Sequence, residues 1–397
     1  LPAFPDRHLN EVPMRLVTAL TLLLPLAAPL LAQDAADHGA YVVRLGTDTV
    51  SVETFAWHGT HLTGDRVLRT PRVTLLHYDA TLGPDGRVTR FELGSNPGNR
   101  LDLPPLQRAT VDLKGDSAFV TVTQGDSTRS YAIAVRPGAV PMLNSTYALY
   151  GQMTRQFARQ ESDSMAVDQV VPGVLAPVPT VVRRIARDSV TIDYFGSPIL
   201  MRVDGEGRLL GLSGERTTIK VKTVREDSAD VTAIAHAFAA AEAASGPVGQ
   251  MSPRDTTRAT FGSAHLLVDY SRPHMRGRKV FGGIVPFGEV WRTGANAATQ
   301  FTTDQPIEIG GTPLPAGTYT LWTIPSDIAP VLIVNSQTGQ WGTEYDPTQD
   351  FARIPLTRSS LDAPVEVFTI TLTPRGRGGV LGMEWEGTRW EVGIGKS

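Results

Sequence analysis

The chain is 397 residues long, more than one compact core ordinarily needs, so two or more domains are expected. Hydrophobic residues at 41% and charged residues at 19% give a globular balance and exclude a chain disordered throughout. A formal charge of −3 gives no reason to expect nucleic acid, which calls for a basic surface, and the lack of Cys excludes disulfides, thiol nucleophiles, zinc–thiolate sites and a lipid-modified N-terminal Cys.

Met14-Arg15 opens an apolar run over 16–31 that Ala32-Gln33-Asp34 closes. A short positive stretch, an apolar stretch and a small residue before polar sequence predict a secretory signal peptide at 14–32, with cleavage after Ala32. Pro25 and Pro29 interrupt the run, and it falls short of the roughly 20 residues that a bilayer core asks for, which disfavours a membrane span. Residues 1–13 read as an over-extended reading frame. The expected destination is the periplasm or the exterior, and after signal cleavage no segment should span a membrane.

From 41 onward, short alternating apolar segments recur with turn signals between them, the pattern of antiparallel β structure. Segments 72–82 and 87–93 flank Gly83-Pro84-Asp85-Gly86, and 118–123 lies between Gly115-Asp116-Ser117 and Gly125-Asp126-Ser127. Segments 189–195, 199–203 and 208–212 are separated by Gly196-Ser197-Pro198 and Asp204-Gly205-Glu206-Gly207. Two helices interrupt this meander. The first, over 145–160, puts Leu149, Tyr150, Met153 and Phe157 on one face. The second, over 228–244, aligns Val231, Ile234, Phe238 and Ala241, with Asp227 or Ser228 as N-cap and Gly246-Pro247 as its stop. The Gly- and Pro-containing stretch 246–256 is the expected linker between an N-terminal β-rich domain, 37–245, and a C-terminal domain, 257–397.

The C-terminal part again reads as β. Strands are predicted over 318–324, 331–334 (buried on both faces) and 366–372, and Leu381, Met383 and Trp385 alternate up to Glu386-Gly387-Thr388. Trp390, Val392 and Ile394 then return as a final hairpin. The predicted fold is all-β and mainly antiparallel, an N-terminal meander or half-barrel with two helices followed by a β-sandwich.

Three motifs occur in order here: Ser271-Arg272-Pro273, Gly277-Arg278-Lys279-Val280-Phe281-Gly282-Gly283, and the stretch from Val285-Pro286-Phe287-Gly288-Glu289 through Val290-Trp291-Arg292-Thr293-Gly294-Ala295-Asn296. Leu314-Pro315-Ala316-Gly317-Thr318-Tyr319, Trp322-Thr323-Ile324-Pro325 and Trp341-Gly342 before Tyr345-Asp346 follow. Over about 257–397 the sequence resembles the domain of unknown function 2911 family. The resemblance implies an exported or envelope-associated bacterial β domain; residues 37–245 resemble no named family.

The most chemically suggestive stretch is 291–296. A guanidinium fork matches a carboxylate or phosphate bidentately, and neighbouring Asn, Thr and Gly-exposed amides can complete an anion pocket. The candidate ligand-binding residues are Arg272, Arg278, Glu289, Trp291, Arg292, Thr293 and Asn296. The structural alternative is that Arg292 pairs with Glu289 or with backbone carbonyls, and that the basic loop of Arg272, His274, Arg276, Arg278 and Lys279 is solvated surface. Trp385 and Trp390 alternate with Glu384, Glu386 and Glu391, which turns the indoles inward; Trp322 and Trp341 could stack on sugar rings. His58 and His61 stand three apart, with His77 further on, but the pair flanks Gly59-Thr60 in a strand-or-turn context where i and i+3 share no helical face and no Glu follows in register, so no metal is expected. A dinucleotide fingerprint, a G-x-S-x-G elbow, a phosphate loop and H-E-x-x-H are all missing, and neither a catalytic residue nor a cofactor is assigned.

Three functions are open at this point. The first is a non-catalytic module for an anionic or carbohydrate-like small molecule, glycan or envelope component. The second is a hydrolase of envelope polymers using carboxylates such as Glu289 or Asp346. The third is a structural or protein-partner domain.

Overall fold

In the computed structural model of the chain, the described residues are 37–396 except 195, 196, 216, 218 and 219. The expected signal peptide, the stretch before it and the junction at Phe195-Gly196 therefore lie outside the described residues.

Eight strands follow in chain order: β1 (His38–Leu45), β2 (Asp48–His58), β3 (His61–Leu68), β4 (Thr74–Leu82), β5 (Val88–Pro97), β6 (Gln107–Lys114), β7 (Ser117–Gln124) and β8 (Ser127–Ala134). Each pairs antiparallel with the next. After the short β9 (Val140–Pro141) and helix α1 (Tyr147–Ala158), the chain returns through β10 (Ser164–Val170), β11 (Val178–Ala186), β12 (Ser189–Tyr194), β13 (Ser197–Val203), β14 (Leu209–Ser213) and β15 (Lys222–Glu226). Strand β15 pairs with β1, with Val42 opposite Val224, so two meanders fuse into one fifteen-stranded sheet running from β8 to β9 among the described residues. The sheet curls without closing, and only β9 and β10 pair in parallel.

Helix α1 fills the concave side. Its apolar positions Leu149, Met153 and Phe157 are buried as the spacing predicts, but so are Gln152, Thr154 and Gln156. The sheet wraps the polar face as well: Gln152 Nε2 donates to the Gly86 carbonyl at 2.6 Å and Thr154 Oγ1 to the Gly207 carbonyl at 2.7 Å, while Gln156 Nε2 is buried with no partner among the described residues. The helix begins at Tyr147, preceded by Thr146, whose side chain makes no capping bond. Glu53 of β2 takes that role: its carboxylate accepts from the amides of Tyr147 and Ala148 and from the Tyr78 hydroxyl at 2.6 Å. An anion at a helix N-terminus satisfies orphan donors and meets the positive end of the dipole.

Helix α2 (Val231–Ser245) packs on the other face of the sheet, where Val231 and Ala235 meet Val52, Val67 and Val73. Its N-cap is Asp230, whose carboxylate accepts from the Ala233 amide at 2.9 Å. Neither Asp227 nor Ser228 is the cap, because the helix starts three residues later than the apolar periodicity suggests.

The C-terminal part begins with β16 (Arg254–Phe261), inside the stretch expected to be linker. It continues through β17 (Ala264–Ser271), β18 (Thr299–Thr303), β19 (Ile307–Ile309), β20 (Thr312–Leu314), β21 (Gly317–Ile324), β22 (Val331–Asn335), β23 (Asp350–Pro355), β24 (Thr357–Arg375) and β25 (Gly378–Lys396). The sheets β16-β17-β18-β21-β22-β23 and β20-β19-β25-β24 enclose one core, in which Phe301, Leu321, Leu332 and Val334 meet Phe368, Met383, Trp385 and Trp390. This is the predicted sandwich. The expected final hairpin is not formed: 378–396 is one bent strand, paired over 378–391 with β24 through two register shifts and at 394–396 with β19. At the bend Glu386 adopts φ +55° and its carboxylate accepts from the amides of Val280 and Phe281, so Glu386-Gly387-Thr388 is a kink and not a turn. Trp385 and Trp390 stay inward on either side of it.

Burial pushes the Glu53 carboxyl from 4.5 up to about 7, against the pull of its hydrogen bonds. A carboxyl raised in the folded state contributes stability that is fully present below its unfolded pKa and is lost as pH rises through the folded one. The stability advantage of the native chain over Glu53→Gln is therefore expected to shrink between pH 5 and pH 8, by on the order of 3 kcal/mol at most. Urea melts of both proteins at the two pH values measure it.

Candidate functional site

Between β17 and β18, residues 272–298 form no long strand or helix. Four isolated bridges hold them: His274 to Val367, Phe281 to Val285, Trp291 to Thr323 and Ala297 to Trp341. Phe281 and Trp291 pin the loop to the sandwich core. The Phe281 ring lies 4.4 Å from Trp390 and that of Trp291 stacks 5.9 Å from Trp385. The loop also reaches the N-terminal sheet. Arg276 pairs with Asp48, its carbonyl accepts from the Thr47 amide at 3.0 Å, and Lys220 Nζ donates to the Ile284 carbonyl at 3.0 Å. A Cβ on Gly46 would stand 2.1 Å from the Arg276 carbonyl oxygen, so the β1–β2 turn has to carry glycine there.

Between this loop and the N-terminal sheet lies a cleft of about 720 Å³. Five of the seven expected site residues line it: Arg278, Glu289, Trp291, Arg292 and Asn296. The other two do not. Arg272 binds Asp255 at 2.9 Å, Thr369 at 2.9 Å and the Phe368 carbonyl at 3.3 Å, which uses its guanidinium to tie β24 to β16. Thr293 is fully buried; its hydroxyl meets Thr323 Oγ1 at 2.6 Å and its carbonyl accepts from Thr299 Oγ1 at 2.6 Å. Both are structural.

Arg292 is the central group. The expected alternative partner, Glu289, is exposed and makes no ion pair with it, and no hydrogen bond or ion pair to the guanidinium is formed by the described residues. Its Nε is sealed from solvent with no partner. Burial pulls the guanidinium down to about 10, so it stays charged at neutral pH. Its stem lies on Gly342, where a Cβ would come within 1.8 Å of Arg292 Cδ and 2.4 Å of the Asn296 carbonyl oxygen. The sequence Trp341-Gly342 is thus a platform for Arg292.

Two further cations share the cleft. Arg278 donates to the carbonyls of Met275 at 2.9 Å and His274 at 2.7 Å, while its Nη1 is buried without a partner. Lys220 is held down to about 8 by desolvation and then by the fields of Arg292 and Arg278. Against Lys220, Arg278 and Arg292 stands one carboxylate among the lining residues, Glu289. Burial and the neighbouring Arg276 charge push His274 down, so it adds no charge at neutral pH. Backbone strain gathers here too. Among non-glycine residues, Ser145 (φ 58°), Lys220 (54°) and Asn296 (60°) line the cleft, and Arg276 (50°) and Thr293 (51°) sit beside residues that do. Left-handed non-glycine residues are costly and concentrate where function over-determines them.

Lys220 and Ser145 escaped the sequence reading: no motif surrounds them, and only the fold brings them to Arg292. Of the indoles left open, Trp322 is buried with its Nε1 on Thr320 at 3.1 Å, whereas Trp341 is exposed. Asp346 caps a short turn through the Thr348 amide at 2.9 Å and does not line the cleft. Glu384 binds Arg389 at 2.9 Å. His58 and His61 face each other across the exposed end of the β2–β3 hairpin, and His77 pairs with Asp65 at 2.9 Å.

An unpaired, desolvated cation costs stability, and an apolar side chain of similar length removes that cost. Arg292→Met is accordingly expected to raise stability by about 1–3 kcal/mol in a denaturant melt. A structural arginine would give the opposite sign.

Comparison with known proteins bears on family and not on chemistry. The family described as "Protein of unknown function (DUF2911)" matches residues 252–394. No curated protein matches the sequence. Among solved structures, a DUF1089 family protein from Pseudomonas aeruginosa is similar over 42% of this chain and 91% of its own, with 11% identity and a TM-score of 0.33. A β-barrel-like protein of the domain of unknown function DUF1849 from Brucella abortus is similar over 48% of this chain and 95% of its own, with 13% identity and a TM-score of 0.33. The loop 272–298, with every cleft residue that it contributes, falls within the matched stretch, and residues 252–394 of the chain are a domain of the DUF2911 family.

Proposed function

We propose that the protein is an exported, non-catalytic binding module that takes a small anionic ligand into the cleft between the N-terminal sheet and the DUF2911 domain. The observation that carries this is the Arg292 guanidinium, charged, largely enclosed and without a partner among the described residues. A folded chain keeps such a group only where something outside the chain supplies the counter-charge. The excess of cations over carboxylates lining the same cleft, and the strained backbone at Ser145, Lys220 and Asn296, support the same reading. Export rests on the apolar run at 16–31 behind Met14-Arg15.

A hydrolase reading needs two acids converging on one substrate. Among the described residues the cleft wall offers Glu289 alone, and the second carboxylate considered, Asp346, is turned to its own loop. Binding is therefore favoured.

Thermal unfolding against small carboxylates, phosphate esters, acidic sugars and neutral glycans tests the proposal. A ligand at a hundred times its dissociation constant adds about 2.7 kcal/mol. An anion is expected to raise the melting temperature of the native chain, less so in high salt, and to leave Arg292→Met unmoved. A neutral glycan acting equally on both proteins would overturn the assignment of Arg292.

A further inference from the structure

Around the cleft, positive charge is not spread evenly. The charged groups facing Lys220 Nζ are Arg292, Arg278, Glu215 and Glu289, with the two arginines the larger influences. Lys220 comes from the connection between β14 and β15 and the arginines from the loop 272–298, so two separate parts of the chain bring like charges together. Their roles differ. Arg292 offers a planar fork that no described residue engages, Arg278 offers its Nη1, and Lys220 is a point charge already steadied by the carbonyls of Glu215 at 2.6 Å and Ile284 at 3.0 Å. Counting lining residues, three cations less one carboxylate leave a charge of +2; Glu215 stands outside the lining and exposed, where solvent screens it.

One carboxylate would satisfy the Arg292 fork and leave the repulsion between Lys220 and Arg278 in place. A tetrahedral dianion presents oxygens in several directions and balances the whole excess. Polar neutral groups, Ser145, Asn296 and Thr343, line the same cleft for the remaining oxygens or for the body that carries the group. We propose, building on the anion site above, that the ligand carries a phosphoryl dianion and that Lys220, Arg278 and Arg292 close on it together, joining the N-terminal sheet to the DUF2911 domain. Lys220 acts here as a charge sensor: its ammonium completes the site, and its loss at alkaline pH opens it.

Isothermal titration of the full chain with phenyl phosphate and phenyl sulfate tests this, because the two share a shape and differ by one charge. At pH 7.5 phenyl phosphate is expected to bind about tenfold or more tightly. The preference should narrow at pH 5, where the ester becomes a monoanion, and again above pH 9, where Lys220 is neutral. Lys220→Arg should keep the preference and abolish the alkaline loss; Lys220→Gln should lose the preference at every pH. Inorganic phosphate as a third probe separates the sources: binding as tight as the ester makes free phosphate the ligand, and weaker binding makes it a phosphate monoester. Equal, Arg292-dependent affinity for ester and sulfate would overturn the dianion and leave a monoanion site standing. Failure of all three probes, with small carboxylates also inert, would overturn both.

Discussion

The functional architecture hangs on the wedge of Phe281 and Trp291 in the aromatic core of the sandwich. Residues 272–298 lack the hydrogen-bond ladder that fixes a strand, and a loop of that length would ordinarily sample many conformations. Two buried rings against Trp385, Trp390 and Phe368 remove that freedom at two points. The reciprocal Trp291–Thr323 backbone bonds, both 2.8 Å, then set the direction of the chain one residue before Arg292. The buried hydroxyls of Thr293, Thr299 and Thr323 finish the constraint. Apolar packing thus positions the guanidinium, and this is why it can stand without a polar partner among the described residues.

Such positioning also explains how a repulsive arrangement survives folding. Lys220 and Arg292 disfavour each other, yet each is fixed by the sheet or loop that bears it, and the Arg276–Asp48 pair and the Thr47–Arg276 bond hold those two bodies at the junction. The molecule carries electrostatic strain in a place where a binding partner would relieve it, the usual trade of stability against function. The basic loop that seemed from the sequence to be one feature therefore splits by role. Arg272 and Arg276 are fasteners, while Arg278 faces the cleft.

Much of the fold was legible because it rests on local signals. Turn residues such as Gly83-Pro84-Asp85-Gly86 and alternating strands placed most of the meander, and the Trp–Glu alternation at 384–391 gave the inward face of β25 correctly. Where reading failed, a distant residue had overruled a local one. Glu386-Gly387-Thr388 has turn composition, but a carboxylate bonded to the amides of Val280 and Phe281 makes it a kink. Helix α1 has one apolar face, but the sheet encloses it all round, and its cap comes from Glu53. The site divides the same way. The stretch 291–296 announced itself by residue type, while Thr293 and Arg272 could not be told from ligand contacts without their partners, and Lys220 had no motif to betray it.

The joint between β1 and β15 sets an order of events for a chain made from its N-terminus. Strands β1 to β8 are hairpin neighbours and can zip up as they emerge. Strand β1, however, pairs Ala40 with Glu226, so one side of it stays open until nearly the whole N-terminal sheet has appeared. During that interval the nascent ladder exposes an edge competent to pair with another chain, and the cavity side lacks the helix that will line it. Completion of β15 therefore does two things at once: it seals an adhesive edge, and it brings the segment bearing Lys220 up to the place where the later DUF2911 loop will dock. Assembly of the cleft is the last step of a relay, and a chain halted before it would be vulnerable to aggregation.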